Sequence, residues 1–232
     1  MRSPAEVVPR ALSFLISLPL FADLGEPSVL SLAQDCTFRQ LEKGDVLFLQ
    51  NDPSEAAYIL SHGKVSIVLN STDGREMVIN EMQEGDLFGE LGILTKKSRS
   101  TSAIARTKCE LLAIPSRALR KVIDSEPQLA MRLLEITAER LQMSGKREGA
   151  LAFLDAQARL ARLLLELERQ EQEKGYITIS QDELAQRAGL IRQTVAKALG
   201  KWRRAGWLIT GRGRILILNR KALEELETSL PI

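Results

Sequence analysis

The sequence predicts an α+β protein in which antiparallel strands come first and helices follow. Three observations support this prediction: short β-branched runs separated by glycines, a long helical pattern after Pro115, and two short helical patterns followed by a hairpin near the C-terminus. The length of 232 residues favours two modest domains over one large domain. With 44% hydrophobic and 27% charged residues, the composition is that of a globular protein.

Glycines divide the segment from about Phe38 to Ile114 into short runs. The dipeptide Asp73-Gly74 lies between two alternating runs and predicts a tight hairpin, because a primed turn needs a positive φ at its centre. Short strands at this spacing favour an antiparallel barrel or sandwich. The predicted strands are Asp45–Phe48, Ala57–Ser61, Lys64–Leu69, Met77–Met82, Ala103–Arg106 and Cys109–Ile114.

A long helix is predicted from Pro127 to about Leu151, with its proline in the first turn, where proline is tolerated. Spacings of four and three residues alternate along one face, as in a coiled-coil seam, so this face should pack against another helix. The alternative is a long helix within the core of one subunit. The seam positions are Ala130, Leu134, Thr137, Leu141, Ser144, Glu148 and Leu151. A second stripe, expected to pack on the β domain, consists of Leu129, Leu133, Ile136 and Met143.

The C-terminal segment has the pattern of a helix-turn-helix. Ser180 and Glu183 form a capping box that starts a helix, and Gly189 makes the turn. The second helix is predicted from Arg192 to about Ala205 and has no side-chain cap, since Ile191 precedes it. A hairpin tip at 211–214 then forms a wing.

The second helix of this motif presents polar residues near its N-terminus. Arg192 can pair bidentately with guanine and Gln193 with adenine, whereas Lys197 can reach a base or a phosphate. The block from Ser180 to Lys221 carries ten basic residues and two acidic ones, which is typical of a polyanion-binding surface. The alternative is a solvated basic helix. The predicted DNA-binding residues are Arg192, Gln193, Thr194, Lys197, Ser180, Arg212 and Arg214.

The run from Gly85 to Gly92, followed by Arg99 and Ser100, has the chemistry of a site for a ribose joined to a phosphate. The glycine-flanked turn exposes backbone N–H groups, Arg99 adds a planar donor fork, and Ser100 adds a hydroxyl. Glu90 supplies an acceptor for ribose hydroxyls. The alternative is a structural β-turn with a capped arginine.

Four segments together resemble the superfamily that contains the cyclic-AMP receptor protein and the fumarate and nitrate reduction regulator. They are GDLFGELG, RSTSAIARTKCELL, ERLQMSGKREGALAFLD and QDELAQRAGLIRQTVAKAL. The likeness extends from about Phe14 to the C-terminus. It implies a jelly-roll-like cyclic-nucleotide-binding β-roll over 1–125, a dimerisation helix and hinge over 126–154, and a winged helix-turn-helix DNA-binding domain over 155–232.

The resemblance also implies a site that is shared between two subunits. Ser144 and Gly145 match two hydroxyl residues that bind adenine, one from each subunit, and Gly145 lacks the hydroxyl. Cyclic AMP is the expected effector, and cyclic GMP is the alternative. The implied nucleotide-binding residues are Gly89, Glu90, Leu91, Arg99, Ser100, Arg140, Ser144 and Gly145.

The expected assembly is a cytoplasmic homodimer that binds a palindromic operator and contacts RNA polymerase. The apolar stretch from Leu12 to Phe21 is too short to cross a membrane. His62 and the distant Cys36 and Cys109 suit neither catalysis nor a metal site, so neither an enzyme nor a bound metal is expected. Two alternatives of the same fold remain open: a constitutive DNA-binding regulator and a redox-responsive one.

Overall fold

The structure is a computed structural model that describes residues 4–71, 76–153, 155–171 and 174–228. For residues 4–6, 146–153 and 227–228 it describes the backbone alone. The chain divides into two compact units, Met1–Arg140 and Leu141–Ile232. The predicted α+β class is confirmed, and the predicted domain limits stay predictions.

The first unit is built on antiparallel sheets. Its strands are β1 Thr37–Leu41, β2 Val46–Phe48, β3 Ala56–His62, β4 Val65–Asn70, β5 Glu76–Met82, β6 Leu87–Phe88, β7 Ser102–Ala105 and β8 Cys109–Pro115. One sheet has the order β1-β8-β3-β6 and another has the order β2-β7-β4-β5. The pairing of β4 with β5 ends at Asn70 and Glu76, while Asp73-Gly74 lies outside the described residues.

Strand β3 is buried on both faces. Tyr58 and Leu60 belong to a core cluster that draws on strands of both sheets, including Phe48 and Phe88. The alternate residues, such as Ile59, belong to a different cluster that contains helical residues. Because neither face meets water over residues 57–60, this part of the strand is hydrophobic at successive positions instead of alternating.

Helices cover one sheet of the first unit. They are α1 Pro4–Ile16, α2 Glu26–Asp35, α3 Glu90–Thr95, α4 Ser116–Ser125 and α5 Pro127–Phe153, with a 3₁₀ turn at Pro19–Phe21. The sequence interpretation assigned no structure to α1 and α2, whose Leu15 and Leu32 are buried in the shared core.

The predicted second stripe of α5 is confirmed for three of its four residues. Leu129 and Leu133 are buried and Ile136 packs against them, as expected. Met143 is 52% exposed and belongs to the second unit, so its predicted packing on the β domain stays a prediction. The compact first unit ends at Arg140, before the helix reaches Met143.

The second unit is a winged helix-turn-helix, as predicted. Its elements are α6 Ala156–Gln170, β9 Ile177–Thr178, α7 Gln181–Ala188, α8 Arg192–Arg204, β10 Leu208–Gly211, β11 Arg214–Ile217 and α9 Arg220–Thr228. The strands form a sheet of order β10-β11-β9. Leu160, Leu164 and Trp202 are fully buried in the core of this unit.

Helix α1 is tied to the sheet by an ion pair between Arg10 and Glu110 on β8. Arg10 Nη1 donates to Glu110 Oε1 at 3.1 Å, Nη2 donates to Oε2, and Ser61 Oγ donates to Oε2 at 3.2 Å. The hydrogen bond from Arg10 is the largest cause that holds the pKa of Glu110 below its ordinary value. The carboxylate is therefore charged over a wider pH range than usual.

We expect Glu110→Gln to lower the free energy of unfolding by about 1 kcal/mol at pH 7, a value discounted for the partial exposure of Arg10. Because folding depresses this pKa, the stabilisation is present above the ordinary glutamate pKa of about 4.3 and is lost as the pH falls through the folded value. Urea unfolding at a series of pH values from neutral to acid measures the deficit, which should shrink at low pH. Glu55→Gln, which removes an exposed carboxylate, is the control. A deficit independent of pH would contradict this expectation.

Candidate nucleotide-binding site and DNA-recognition helix

Arg99 is buried in the first unit, with 4% of its surface exposed. Its Nη1 donates to the carbonyl oxygen of Gly89 and its Nη2 donates to that of Ala56, each at 2.5 Å. Among the described residues its Nε has no hydrogen-bond partner. A buried donor without an acceptor costs about 1–3 kcal/mol, so this nitrogen favours binding of an acceptor.

Aromatic rings form the surface on which the Arg99 guanidinium lies. Its Cζ is 4.2 Å from the ring centroid of Phe48 and 5.7 Å from that of Tyr58. Phe88 completes this aromatic cluster, with its centroid 5.8 Å from that of Tyr58. Burial against these rings lowers the pKa of Arg99, although an arginine remains protonated at neutral pH. The site therefore holds a dehydrated positive charge.

Gly89 allows Arg99 to approach the turn before α3. It has φ of 75°, in the left-handed region that favours glycine. A Cβ at this position would lie 2.7 Å from Arg99 Nη1. A side chain here would strain the turn and displace the guanidinium.

Glu90 connects this turn to the long helix. The residue is 2% exposed, and its carboxylate oxygen Oε1 accepts a hydrogen bond from Arg140 Nη1 at 2.7 Å. Arg140 Nη2 donates to the carbonyl oxygen of Leu87. Desolvation by burial raises the pKa of Glu90, while Arg140 opposes the shift. The ion pair between Glu90 and Arg140 therefore connects α5 to the glycine turn, at the last residue of the first unit.

The structure thus brings together Gly89, Glu90, Arg99 and Arg140 in one hydrogen-bonded region. Leu91 and Ser100 lie beside them and are exposed. Ser144 and Gly145 follow on α5 and belong to the second unit. The nucleotide contacts of all eight residues stay predictions.

The aromatic surface beneath Arg99 was missed by sequence reasoning. Phe48, Tyr58 and Phe88 lie on separate strands, and the pairing of Tyr58 with Phe88 depends on the register of β3 with β6. Nothing local in the sequence marks these three rings as neighbours of an arginine.

The predicted seam of α5 presents exposed leucines. Leu134 is 60% exposed and Leu141 is 72% exposed, whereas Ala130, Thr137 and Ser144 are half-buried. Thr137 Oγ1 donates to the carbonyl oxygen of Leu133 at 2.7 Å. The side chains of Glu148 and Leu151 lie outside the described residues.

The helix-turn-helix has the local features expected from its sequence. Ser180 Oγ accepts from the backbone N–H of Glu183 at 3.1 Å, so the predicted cap of α7 is confirmed. Gly189 ends α7 with φ of 64°. Ile191 gives α8 no side-chain cap, also as expected. On the inner face of α8, Val195, Leu199 and Trp202 are buried.

The opposite face of α8 meets solvent. Arg192, Gln193 and Lys197 are exposed, and Thr194 is half-buried. Arg192 Nη1 lies 3.1 Å from Asp182 Oδ2 on α7. This is the face that enters the major groove in helix-turn-helix proteins.

The wing is a hairpin in which Gly211 pairs with Arg214. Arg212 and Gly213 form its two-residue loop, and Gly213 has φ of 69°. The Arg214 guanidinium lies over the ring of Tyr176, with 4.9 Å from Cζ to the centroid. Arg212 is exposed and available to a phosphate, whereas Arg214 is oriented by the tyrosine.

The cysteines are buried and free. Burial raises the pKa of the Cys36 thiol to about 12, and Cys109 Sγ donates to the carbonyl oxygen of Lys64 at 3.1 Å. Among the described residues, no group of His, Cys, Asp and Glu side chains is placed to hold a metal ion. Within the same residues, no helix is long and apolar enough to cross a membrane.

Comparison with known proteins identifies both parts of the chain. Residues 38–126 match the cyclic nucleotide-binding domain family, and residues 158–226 match the Crp-like helix-turn-helix domain family. The chain is 32% identical over 205 residues to the CRP-like cAMP-activated global transcriptional regulator of Mycobacterium tuberculosis, covering 85% of this chain and 92% of that protein. It is 30% identical over 199 residues to the cAMP-activated global transcriptional regulator CRP of Salmonella typhimurium, covering 83% and 94%.

A solved structure agrees with these relatives. A CRP/FNR family transcriptional regulator from Thermus thermophilus is 28% identical and has a TM-score of 0.68, covering 83% of this chain and 99% of that one. The two curated relatives are named as transcription regulators and not as enzymes. The chain therefore belongs to the CRP/FNR superfamily of transcription regulators.

Proposed function

We propose that this DNA-binding transcription regulator is a homodimer whose affinity for a palindromic operator is controlled by a cyclic nucleotide. Cyclic AMP is the first candidate, because the two curated relatives are named as cAMP-activated. Cyclic GMP is the second, since Gly145 lacks a hydroxyl that would select the base. The protein would act in the cytoplasm, where bacterial DNA lies.

The unpartnered Nε of buried Arg99 is the observation that carries this proposal. A cyclic nucleotide supplies a phosphate with acceptor oxygens, a ribose hydroxyl and a base. The buried positive charge of Arg99 can bind the phosphate, and the exposed Ser100 adds a hydroxyl donor beside it. The residues present therefore fit the group that the family implies.

Glu90 and Arg140 would transmit occupancy of this site to the long helix. Glu90 already binds Arg140 at 2.7 Å, so any competitor for its carboxylate weakens a link between the turn and α5. A ligand shifts such an equilibrium only by its differential affinity for the two states. The Glu90–Arg140 pair is a contact that can differ between those states.

The exposed leucines of α5 support a second copy of the chain as the partner. Leu134 and Leu141 carry large apolar surfaces at seam spacing. In a dimer formed by two parallel copies of α5, the two copies of α8 would bind two operator half-sites about one DNA turn apart. Contact with RNA polymerase would follow if the protein activates transcription.

Titration of the full chain with cyclic AMP and cyclic GMP tests the proposal. We expect calorimetric heat with one nucleotide and an increase of about 10- to 100-fold in affinity for an operator obtained by in vitro selection. Affinity for random DNA should change little. Analytical ultracentrifugation of the same sample should give a dimer.

Two other outcomes would overturn nucleotide control. Absence of heat together with unchanged operator affinity would indicate constitutive DNA binding. Loss of DNA binding on treatment with a thiol oxidant, without any nucleotide response, would indicate redox control. The buried, high-pKa thiol of Cys36 argues against the redox outcome.

A further inference from the structure

The ion pair between Asp182 and Arg192 joins the two helices of the DNA-binding motif. Asp182 lies in the first turn of α7, and Arg192 is the first residue of α8. Arg192 Nη1 is 3.1 Å from Asp182 Oδ2, and both side chains are largely exposed, at 68% and 59%. The pair therefore lies on the solvent side of the motif and not in its core.

We propose that Asp182 is a positioning residue that orients Arg192 to bind guanine and thereby raises the discrimination of this protein among DNA sequences. The inference rests on the proposed DNA contact of Arg192. It adds a specificity-determining role for Asp182, a residue on the helix that precedes the recognition helix.

The rigidity of the motif makes Asp182 a suitable anchor. Leu184 and Ala185 of α7 are buried together with Val195 of α8, so the two helices share a packed core. A short aspartate side chain on a fixed helix has few conformations, whereas arginine has many. Asp182 therefore restricts the guanidinium before any DNA is bound.

The remaining donors of Arg192 match what guanine offers. Asp182 occupies one donor position at Nη1, which leaves the edge formed by Nε and Nη2 for two parallel hydrogen bonds. Guanine presents its O6 and N7 in this arrangement in the major groove. An unrestrained arginine would instead also reach neighbouring phosphates, which carry no sequence information.

The charge of Asp182 acts in the same direction. Asp182 and Glu183 are the acidic residues of the block from 180 to 221, and the Glu183 carboxylate accepts from Arg187 within α7 at 2.8 Å. A carboxylate beside DNA repels phosphates and lowers affinity for any sequence. Asp182 should therefore lower affinity for random DNA while it raises preference for the operator.

Two experiments test this role. In vitro selection from a random duplex library first identifies the operator. Binding is then measured at several salt concentrations, with and without saturating cyclic AMP. The proteins are the wild type, Asp182→Asn, Asp182→Glu, Arg192→Ala and the control Glu166→Gln, which removes an exposed carboxylate from α6. The probes are the selected operator, the operator with adenine or 7-deazaguanine at the guanine assigned to Arg192, and random DNA. Tryptophan fluorescence verifies that each variant is folded.

We expect wild type to lose about 20-fold in affinity on replacement of that guanine by adenine, and Asp182→Asn to lose only about threefold. Asp182→Asn should bind random DNA about threefold more tightly than wild type, because a repulsive charge is gone. Asp182→Glu should recover part of the discrimination, and Glu166→Gln should leave it unchanged.

One outcome overturns the inference alone: Asp182→Asn discriminates between guanine and adenine as strongly as wild type, while Arg192→Ala loses this preference. In that case the guanine contact of Arg192 stands and Asp182 has no part in it. A selected motif unaffected by Arg192→Ala would overturn the proposed contact of Arg192 and the inference with it. The two failures are therefore distinguishable.

Discussion

Arg99→Leu should reduce the affinity for cyclic AMP by at least about 100-fold. Truncating one partner of a buried charge-assisted contact typically costs about 2–5 kcal/mol, and 100-fold corresponds to about 2.7 kcal/mol. Leucine retains apolar contact with Phe48 and Tyr58 but offers no donor to a phosphate. Calorimetric titration of wild type and variant measures the loss.

Arg99→Leu also leaves the carbonyl oxygens of Gly89 and Ala56 without their present donors, so its folding must be verified by thermal unfolding. Arg99→Lys keeps the charge but lacks the planar fork, and we expect a loss of about tenfold. Equal affinity of all three proteins for cyclic AMP would show that Arg99 does not contact the ligand.

Trp202→Ala should strongly destabilise the second unit, which carries the DNA-binding motif. Trp202 lies on the inner face of α8 and is fully buried, with its ring centroid 6.3 Å from that of Trp207. Replacing a buried tryptophan by alanine costs about 3–5 kcal/mol, against a total stability of roughly 5–15 kcal/mol for a domain. The unfolding temperature of this unit should fall by more than about 12 °C.

Intrinsic fluorescence can follow this transition in the full chain, since both tryptophans, Trp202 and Trp207, belong to the second unit. Trp207 remains as the reporter in the variant. Trp202→Phe is the matched control: among the described residues the indole Nε1 has no hydrogen-bond partner, so phenylalanine removes an unsatisfied donor and keeps most of the apolar contact. A Trp202→Ala protein that unfolds at the wild-type temperature would contradict the assigned role of this side chain.

Burial of both cysteines argues against redox control of this protein. Cys36 and Cys109 are 3% and 2% exposed, and Cys36 lies in the helical core of the first unit with a raised thiol pKa. Oxidants react with accessible thiolates, so these residues are poor sensors in the folded state. Nucleotide control remains the simpler account of regulation.

Local signals in the sequence were sufficient for several parts of the fold. Glycines and alternating apolar residues located β3, β4, β5 and β8 to within a residue or two, because strand ends are marked by turn chemistry. Ser180 and Gly189 located the ends of α7 through a cap and a left-handed residue. In each case the determinant lies within a few residues along the chain.

The N-terminal helices show where local signals fail. Helix α1 contains Pro9, which is unfavourable inside a helix, and α2 is only ten residues long, so the local signals for a helix are weak in both. Both are stabilised by burial of Leu15 and Leu32 against residues far along the chain. Burial of this kind depends on which sheet face the helices cover, and the sequence does not state it.

By itself the sequence determined six of the eight described strands of the first unit, the long helix, the helices of the DNA-binding motif and the residue types of the nucleotide turn, because each depends on neighbours along the chain. Only the tertiary structure decided that Arg99 lies on Phe48 and Tyr58, that Glu90 binds Arg140, and that Asp182 holds Arg192. These contacts join residues on different strands or helices, and they arise only after strand register and helix packing are fixed.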